Sequence, residues 1–339
     1  MTACQNQKSP SGAYQPANQA SRLPVCQTDH IQKVVLGGFP QKLHIRFTDP
    51  DAPILLVLHG GPGMSNRHSI MTQHGDLARD FVVVAWDQRG CAGSYKGVDP
   101  VTLTVDRLVE DAHELVEWLC EQFGAAKINI LGGSWGSQLG TLLAYRYPEH
   151  IAAYVGCGQV VDGVQNEQLS WEFTVQEARK AADQRSLDTL ERIGPPERGQ
   201  YRGGLKGLLA QRRILSTYGG STRKGEGFFN SYIKPVLLSK EYSVEDVWGY
   251  LRGSTLVLAT MWPELVNYDF RREARRFVMP YFIFQGRADR NTPAALVEEY
   301  FAVIDAPVKE LLWFEESAHS PLGDEPERFK RLLRENLLG

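Results

Sequence analysis

The sequence predicts an α/β fold: a mostly parallel central sheet flanked by helices, with an inserted helical cap. Three observations carry this. Apolar runs of strand length recur at 53–58, 81–86, 127–131, 152–157, 280–285 and 309–314, and helix-like stretches separate most of them. Such alternation implies parallel strands covered on both faces. It stops after Val160 and resumes at Met279, and the residues between read as largely helical. A chain of 339 residues is also long enough for a full core and one inserted subdomain. The expected organisation is a mobile tail over 1–30, a core over 31–160 and 276–339, and a helical cap, or lid, over 161–275.

The elements follow in order. The first thirty residues are rich in Gln, Ser, Ala and Pro, with neither the apolar centre of a secretory signal nor the arginines of a transit peptide. Lys33–Leu36 and Lys42–Phe47 flank Gly37-Gly38-Phe39-Pro40 and read as a β-hairpin. Thr104 caps a helix over 105–120, in which Val105, Leu108, Val109, Ala112, Leu115, Val116 and Leu119 share one face. Asp106, Arg107, Glu110, Asp111 and Glu114 are expected on the opposite, polar face. In the cap region, Ser243-Val244-Glu245-Asp246 is a helix-start pattern, and Gly/Pro/Arg-rich stretches interrupt the helices at 193–206 and 217–227.

The chemistry is concentrated where strands end. Lys127–Leu131 runs into Gly132-Gly133-Ser134-Trp135-Gly136, and a helix-like run follows. Side chains two before and two after a serine in so tight a turn collide, so both places favour glycine, and the hydroxyl is held exposed. Ser134 is therefore the candidate nucleophile. Pro53–Leu58 ends in His59-Gly60-Gly61-Pro62-Gly63, a loop whose backbone can approach a substrate carbonyl closely. The Gly61 and Trp135 N–H groups are assigned as oxyanion donors. Asp289 lies just past the strand 280–285, and His319 lies in the loop after the strand 309–314. A carboxylate there orients an imidazole, and the imidazole takes the serine proton. The chain order Ser…Asp…His is that of the α/β-hydrolase fold. Cys91, in a loop near this site, lacks the strand-elbow setting of a nucleophile.

Together, His59–Gly63, Trp86-Asp87-Gln88-Arg89-Gly90-Cys91-Ala92-Gly93-Ser94 and Gly132–Ser137 resemble the signature of proline iminopeptidases (prolyl aminopeptidases). Gly286-Arg287-Ala288-Asp289 and Ser317-Ala318-His319-Ser320-Pro321 resemble that family's acid and base segments. The resemblance covers roughly 31–160 and 275–339. It implies removal of an N-terminal proline through an acyl-enzyme, with cap glutamates holding the substrate amine. Of the family's cap motifs, only Trp171-Glu172-Phe173 has a counterpart, with Phe228-Phe229-Asn230 as a remnant. His59, Gly60, Glu172, Phe228 and Trp262 are accordingly expected to contact substrate, and Glu167 and Glu177 are further acids near the start of the cap. Asp87 and Arg89 are expected to tie the loop near the site.

The bulk properties limit the alternatives. A net charge of -3, with no dense basic stretch, argues against nucleic-acid binding. No apolar run approaches the roughly 20 residues that span a bilayer. The five cysteines are scattered, with no metal spacing, so no metal or cofactor is expected and a reducing cytoplasm is the simplest compartment. The expected partner is a small-molecule or short-peptide substrate. Serine at the elbow, where epoxide hydrolases and haloalkane dehalogenases of this fold carry aspartate, favours acyl chemistry. Competing readings are an esterase, lactonase or amidase of a specialised metabolite, an acyltransferase, and a ligand-binding receptor on the same scaffold.

Overall fold

The computed structural model describes residues 29–222 and 229–339. β1 (Asp29–Leu36) and β2 (Phe39–Arg46) pair antiparallel across Gly37-Gly38. Phe39 and Pro40 belong to the strand rather than to the turn. Pro40 can do so because pairing of β2 with its other neighbour begins only at Lys42, so its missing N–H breaks no bond there. Next come β3 (Ile54–Leu58), α1 (Arg67–Gln73), β4 (Val82–Asp87) and α2 (Val105–Phe123). The nucleophile segment forms β5 (Ile128–Gly133) and α3 (Trp135–Arg146), followed by β6 (Ile151–Cys157).

Among the described residues, α4 (Gly163–Lys180), α5 (Gln184–Ile193), α6 (Leu205–Thr217), a π-helical turn at Phe229–Ile233, α7 (Lys234–Leu238), α8 (Val244–Leu265) and α9 (Phe270–Glu273) precede the next strand. The core resumes with β7 (Tyr281–Gly286), α10 (Ala294–Val303), β8 (Lys309–Phe314), α11 (Pro321–Asp324) and α12 (Pro326–Leu338). The eight strands of the described residues form one sheet in the order β1-β2-β4-β3-β5-β6-β7-β8, antiparallel through β1, β2 and β4 and parallel from there to β8.

Period-two alternation divides the strand side chains between two apolar layers. Ile54, Leu56, Leu58, Val82, Val84 and Trp86 join the face covered by Leu108, Leu115, Leu139 and Val297. Leu55, Val57, Val83 and Ala85 join the opposite face with Ile70, Phe329 and Leu333. α2 buries all seven of its expected apolar residues, and Thr104 caps it by accepting from the Arg107 N–H at 3.1 Å. Asp111 departs from the expected polar face. It is fully buried because Arg89 reaches it with two hydrogen bonds, of 2.6 and 2.8 Å.

The cap has its own apolar cluster, including Val175, Ala178, Leu190, Ile193, Leu208 and Ile214. A second cluster joins Val236, Tyr242 and Tyr250 of the cap to Cys91 and Ala92 of the core. α8 begins with a full capping box, Ser243 and Asp246 each accepting from the other's backbone N–H. The same Asp246 pins the cap down: Lys42 reaches it at 2.5 Å and buried Arg67 at 2.9 Å, while Arg67 also holds Asp87 at 3.2 Å.

Candidate active site

The carboxyl ends of the parallel strands converge beneath the cap, where ligands bind in open α/β sheets. At the end of β5, Ser134 has φ 54° and ψ -121°, a strained left-handed conformation for a side-chain-bearing residue. The glycines two before and two after it are dictated by space. A Cβ on Gly132 would lie 2.3 Å from the Gly136 carbonyl oxygen, and one on Gly136 would lie 2.0 Å from the Leu58 carbonyl oxygen. The turn is fixed from behind by the Ser134 N–H donating to Cys157 O at 2.8 Å and by Ser137 Oγ donating to Ser134 O at 2.6 Å.

After β3, the loop from His59 to Gly63 lies against this turn. A Cβ on Gly60 would sit 3.1 Å from Ser134 Cβ. Gly61 and Trp135 line the same cavity as Ser134, and neither amide has an acceptor among the described residues. Gln88, which sequence reasoning did not single out, ties the two donor segments together. Its Oε1 accepts from Trp135 Nε1 at 2.9 Å and its Nε2 donates to His59 O at 3.1 Å.

After β7 and β8, Asp289 and His319 meet: His319 Nδ1 donates to Asp289 Oδ2 at 2.9 Å. Asp289 is fully buried and is surrounded by donors. Gln285 Nε2 and Thr292 Oγ1 reach Oδ2 at 2.9 and 2.6 Å, and the Asn291 and Thr292 N–H groups reach Oδ1 at 2.8 and 2.9 Å. Because Nδ1–H is donated to a carboxylate, Nε2 is the nitrogen left to accept a proton. The ring packs on Gly158, where an added Cβ would lie 3.0 Å from Cε1 and Nδ1. Gly158 directly follows Cys157, whose carbonyl holds the Ser134 N–H, so imidazole and serine border the same two residues. Ser134 Oγ itself makes no hydrogen bond among the described residues.

The expected contact residues separate into those that face the cavity and those that do not. Trp262 lines it. His59 does not: its ring is wholly buried, with Nδ1 donating to Gly60 O at 2.9 Å and Nε2 accepting from the Gln88 N–H at 3.3 Å. Burial pushes this imidazole down to about 4, so it is a neutral strut for the loop. Glu172 is exposed on α4 and accepts from Gln168 Nε2 at 2.8 Å. It sits a turn beyond the acid that faces inward, Glu167, which is buried and pairs with Arg212 of α6. Phe228 lies outside the described residues. Cys91 is buried against His59 Nε2 at 3.2 Å, and burial pushes its thiol well up, away from the thiolate a nucleophile needs.

Asp87 and Arg89 tie loops. Asp87 accepts from Ser65 Oγ at 2.6 Å and from the Gly93 N–H at 3.0 Å, while Arg89 also reaches Leu36 O at 2.9 Å. The cavity encloses about 70 Å³. No cluster of His, Cys, Asp and Glu suited to a metal ion occurs among the described residues.

The family model for the alpha/beta hydrolase fold matches residues 53–326, most of the chain. The chain belongs to the α/β-hydrolase family. Among curated proteins, this hydrolase is 28% identical over 307 residues to the probable aminopeptidase YbaC of Bacillus subtilis (strain 168), covering 89% of this chain and 94% of that one. It is 25% identical over 283 residues to a proline iminopeptidase of Heyndrickxia coagulans, covering 82% and 88%. Among solved structures, the proline iminopeptidase of Mycobacterium smegmatis superposes with a TM-score of 0.65 at 18% identity, over 91% of this chain and 97% of that one. VinJ superposes with a TM-score of 0.63 at 19% identity, over 91% and 98%. These two likenesses are of fold.

Proposed function

We propose that this hydrolase cleaves amide or ester bonds through an acyl-enzyme on Ser134, with His319 as general base and Asp289 as its orienting acid. The observation that carries the reading is the Asp289–His319 hydrogen bond of 2.9 Å at the sheet edge where Ser134 is held in its elbow. Ser134 Oγ attacks the carbonyl as His319 Nε2 removes its proton. The Gly61 and Trp135 N–H groups receive the oxyanion, each worth about 3 kcal/mol of transition-state stabilisation. The imidazolium then protonates the leaving amine or alcohol, and water enters by the same route to release the acid. Ser134 Oγ and His319 Nε2 come into contact in the loaded enzyme, in keeping with catalytic hydrogen bonds that tighten only there.

The names of the curated relatives support amides of amino acids as the substrate class. A fluorophosphonate probe tests the reaction class. Wild-type protein is expected to be labelled stoichiometrically at Ser134, and Ser134→Ala not at all. Labelling that persists in the variant, or a wild-type protein that the probe does not touch, removes the reading.

A further inference from the structure

The pocket that faces Ser134 carries a charge pair whose two members cancel. Glu167 of α4 and Arg212 of α6 both line the cavity, and they bond directly to one another. Glu167 is 1% exposed, and its Oε1 accepts from Arg212 Nη2 and from Asn166 Nδ2, the latter at 3.3 Å. Arg212 also donates to Gln211 Oε1 and lies 5.8 Å over the Trp262 ring. Glu167 Oε2 and the amide oxygen Oδ1 of Asn291 are buried, and neither has a hydrogen-bond partner among the described residues. Asn291 lines the same cavity. Buried acceptors without donors are costly, so both call for a ligand that brings N–H or O–H groups.

A lone buried carboxylate would take an ammonium for this purpose. Here a guanidinium is bonded to the other oxygen of that same carboxylate and neutralises it, so an ammonium arriving at Oε2 finds much less net attraction than a lone carboxylate would offer. It also gives up its hydration. An uncharged donor satisfies the two orphan acceptors with a much smaller loss of hydration. We infer that the acyl pocket selects uncharged acyl groups that carry a hydrogen-bond donor, such as N-acylaminoacyl or hydroxyacyl groups, and that Arg212 turns it away from a free α-ammonium. This rests on the acyl-transfer reading of Ser134 and names the substrate class of that site. It separates this chain from an aminopeptidase at one residue, and leaves the reaction at the scissile carbonyl unaltered.

The test compares two diphenyl phosphonate analogues of alanine, one with a free amine and one N-acetylated so that it keeps a single uncharged N–H, by their rates of covalent attachment to Ser134. Wild-type protein is expected to react at least tenfold faster with the acetylated reagent. Arg212→Met is expected to shift the ratio at least tenfold towards the free amine, and Arg212→Lys, which keeps the positive charge, to hold the wild-type preference. Circular dichroism of each variant checks folding, and should Arg212→Met not fold, Arg212→Gln takes its place. Faster reaction of wild type with the free amine, equal rates, or a ratio unmoved by loss of the guanidinium overturns the inference while sparing the hydrolase reading. Failure of either reagent, and of a fluorophosphonate, to mark Ser134 overturns the hydrolase reading itself.

Discussion

His59 shows how a residue that looks like chemistry serves architecture. Its ring joins the Gly60 carbonyl, the Gln88 amide and the Cys91 thiol, and so braces the loop that presents Gly61. Only the neutral ring can both donate and accept there. Burial holds its ionisation down to about 4 from an ordinary 6.5. Between those values the unfolded chain binds a proton that the folded chain refuses. Stability therefore falls as pH drops from about 6.5 towards 4 and is untouched by this group above that window. The full loss from one such group is about 3 kcal/mol. Burial also holds His68 and His74 down to about 4, and they act in the same direction. Urea midpoints measured at pH 7.5 and pH 5 are expected to fall on acidification, and to fall less in His59→Gln. Equal slopes in the two proteins would show that this imidazole is not held neutral by the fold.

Among the elements, the strand-to-helix turn at Ser134 sets the tightest constraint. β3 and α3 approach so closely that an added methyl at Gly136 would overlap the Leu58 carbonyl, 2.0 Å from the new carbon. Gly136→Ala must move the helix or the strand, at a cost on the order of 3 kcal/mol, the upper end for overpacking. It must also shift the Trp135 amide away from the place proposed for the oxyanion. Chemical denaturation and fluorophosphonate labelling check this together: a lower midpoint and at least a tenfold slower labelling are expected, and wild-type values in both would contradict the close approach.

This turn was legible in the sequence because its cause is local. Two glycines around one serine report a steric rule, and the apolar run before them reports a buried strand. The six core strands were legible for the same reason. The pocket was not. Glu167 and Arg212 meet across forty-five positions, on two helices whose packing no local rule predicts. Arg212 does carry a faint signal, since it falls on the α6 face with Leu208, Gln211 and Leu215, all buried. Glu172 drew attention through its motif context, yet α4 presents the acid more than a turn earlier to the cavity. Asp111 misled in the opposite sense: helical periodicity placed it outside, but Arg89, from a different element, draws it in.

At the scale of the whole molecule, the sheet supplies three loop ends and the cap supplies the lid. The lid is held on one side by charges. Arg67 and Lys42 of the core grip Asp246 at the start of α8, and Arg67 also donates to Glu241 O at 2.7 Å. The same helix supplies Trp262 and Leu265 to the cavity over Ser134, whose volume is about 70 Å³. Among the described residues no helix is long and apolar enough to cross a membrane. The central claim is that residues 134, 289 and 319, far apart in the chain, act as one acyl-transfer unit beneath that lid. Peptide-mapped mass spectrometry of protein quenched during turnover of p-nitrophenyl acetate tests it most directly. We expect an acetyl group on the Ser134 peptide, none in Ser134→Ala, and loss of turnover in a folded His319→Ala. An acetyl group carried instead by Cys91 or another side chain, with turnover undiminished in Ser134→Ala, would contradict the account.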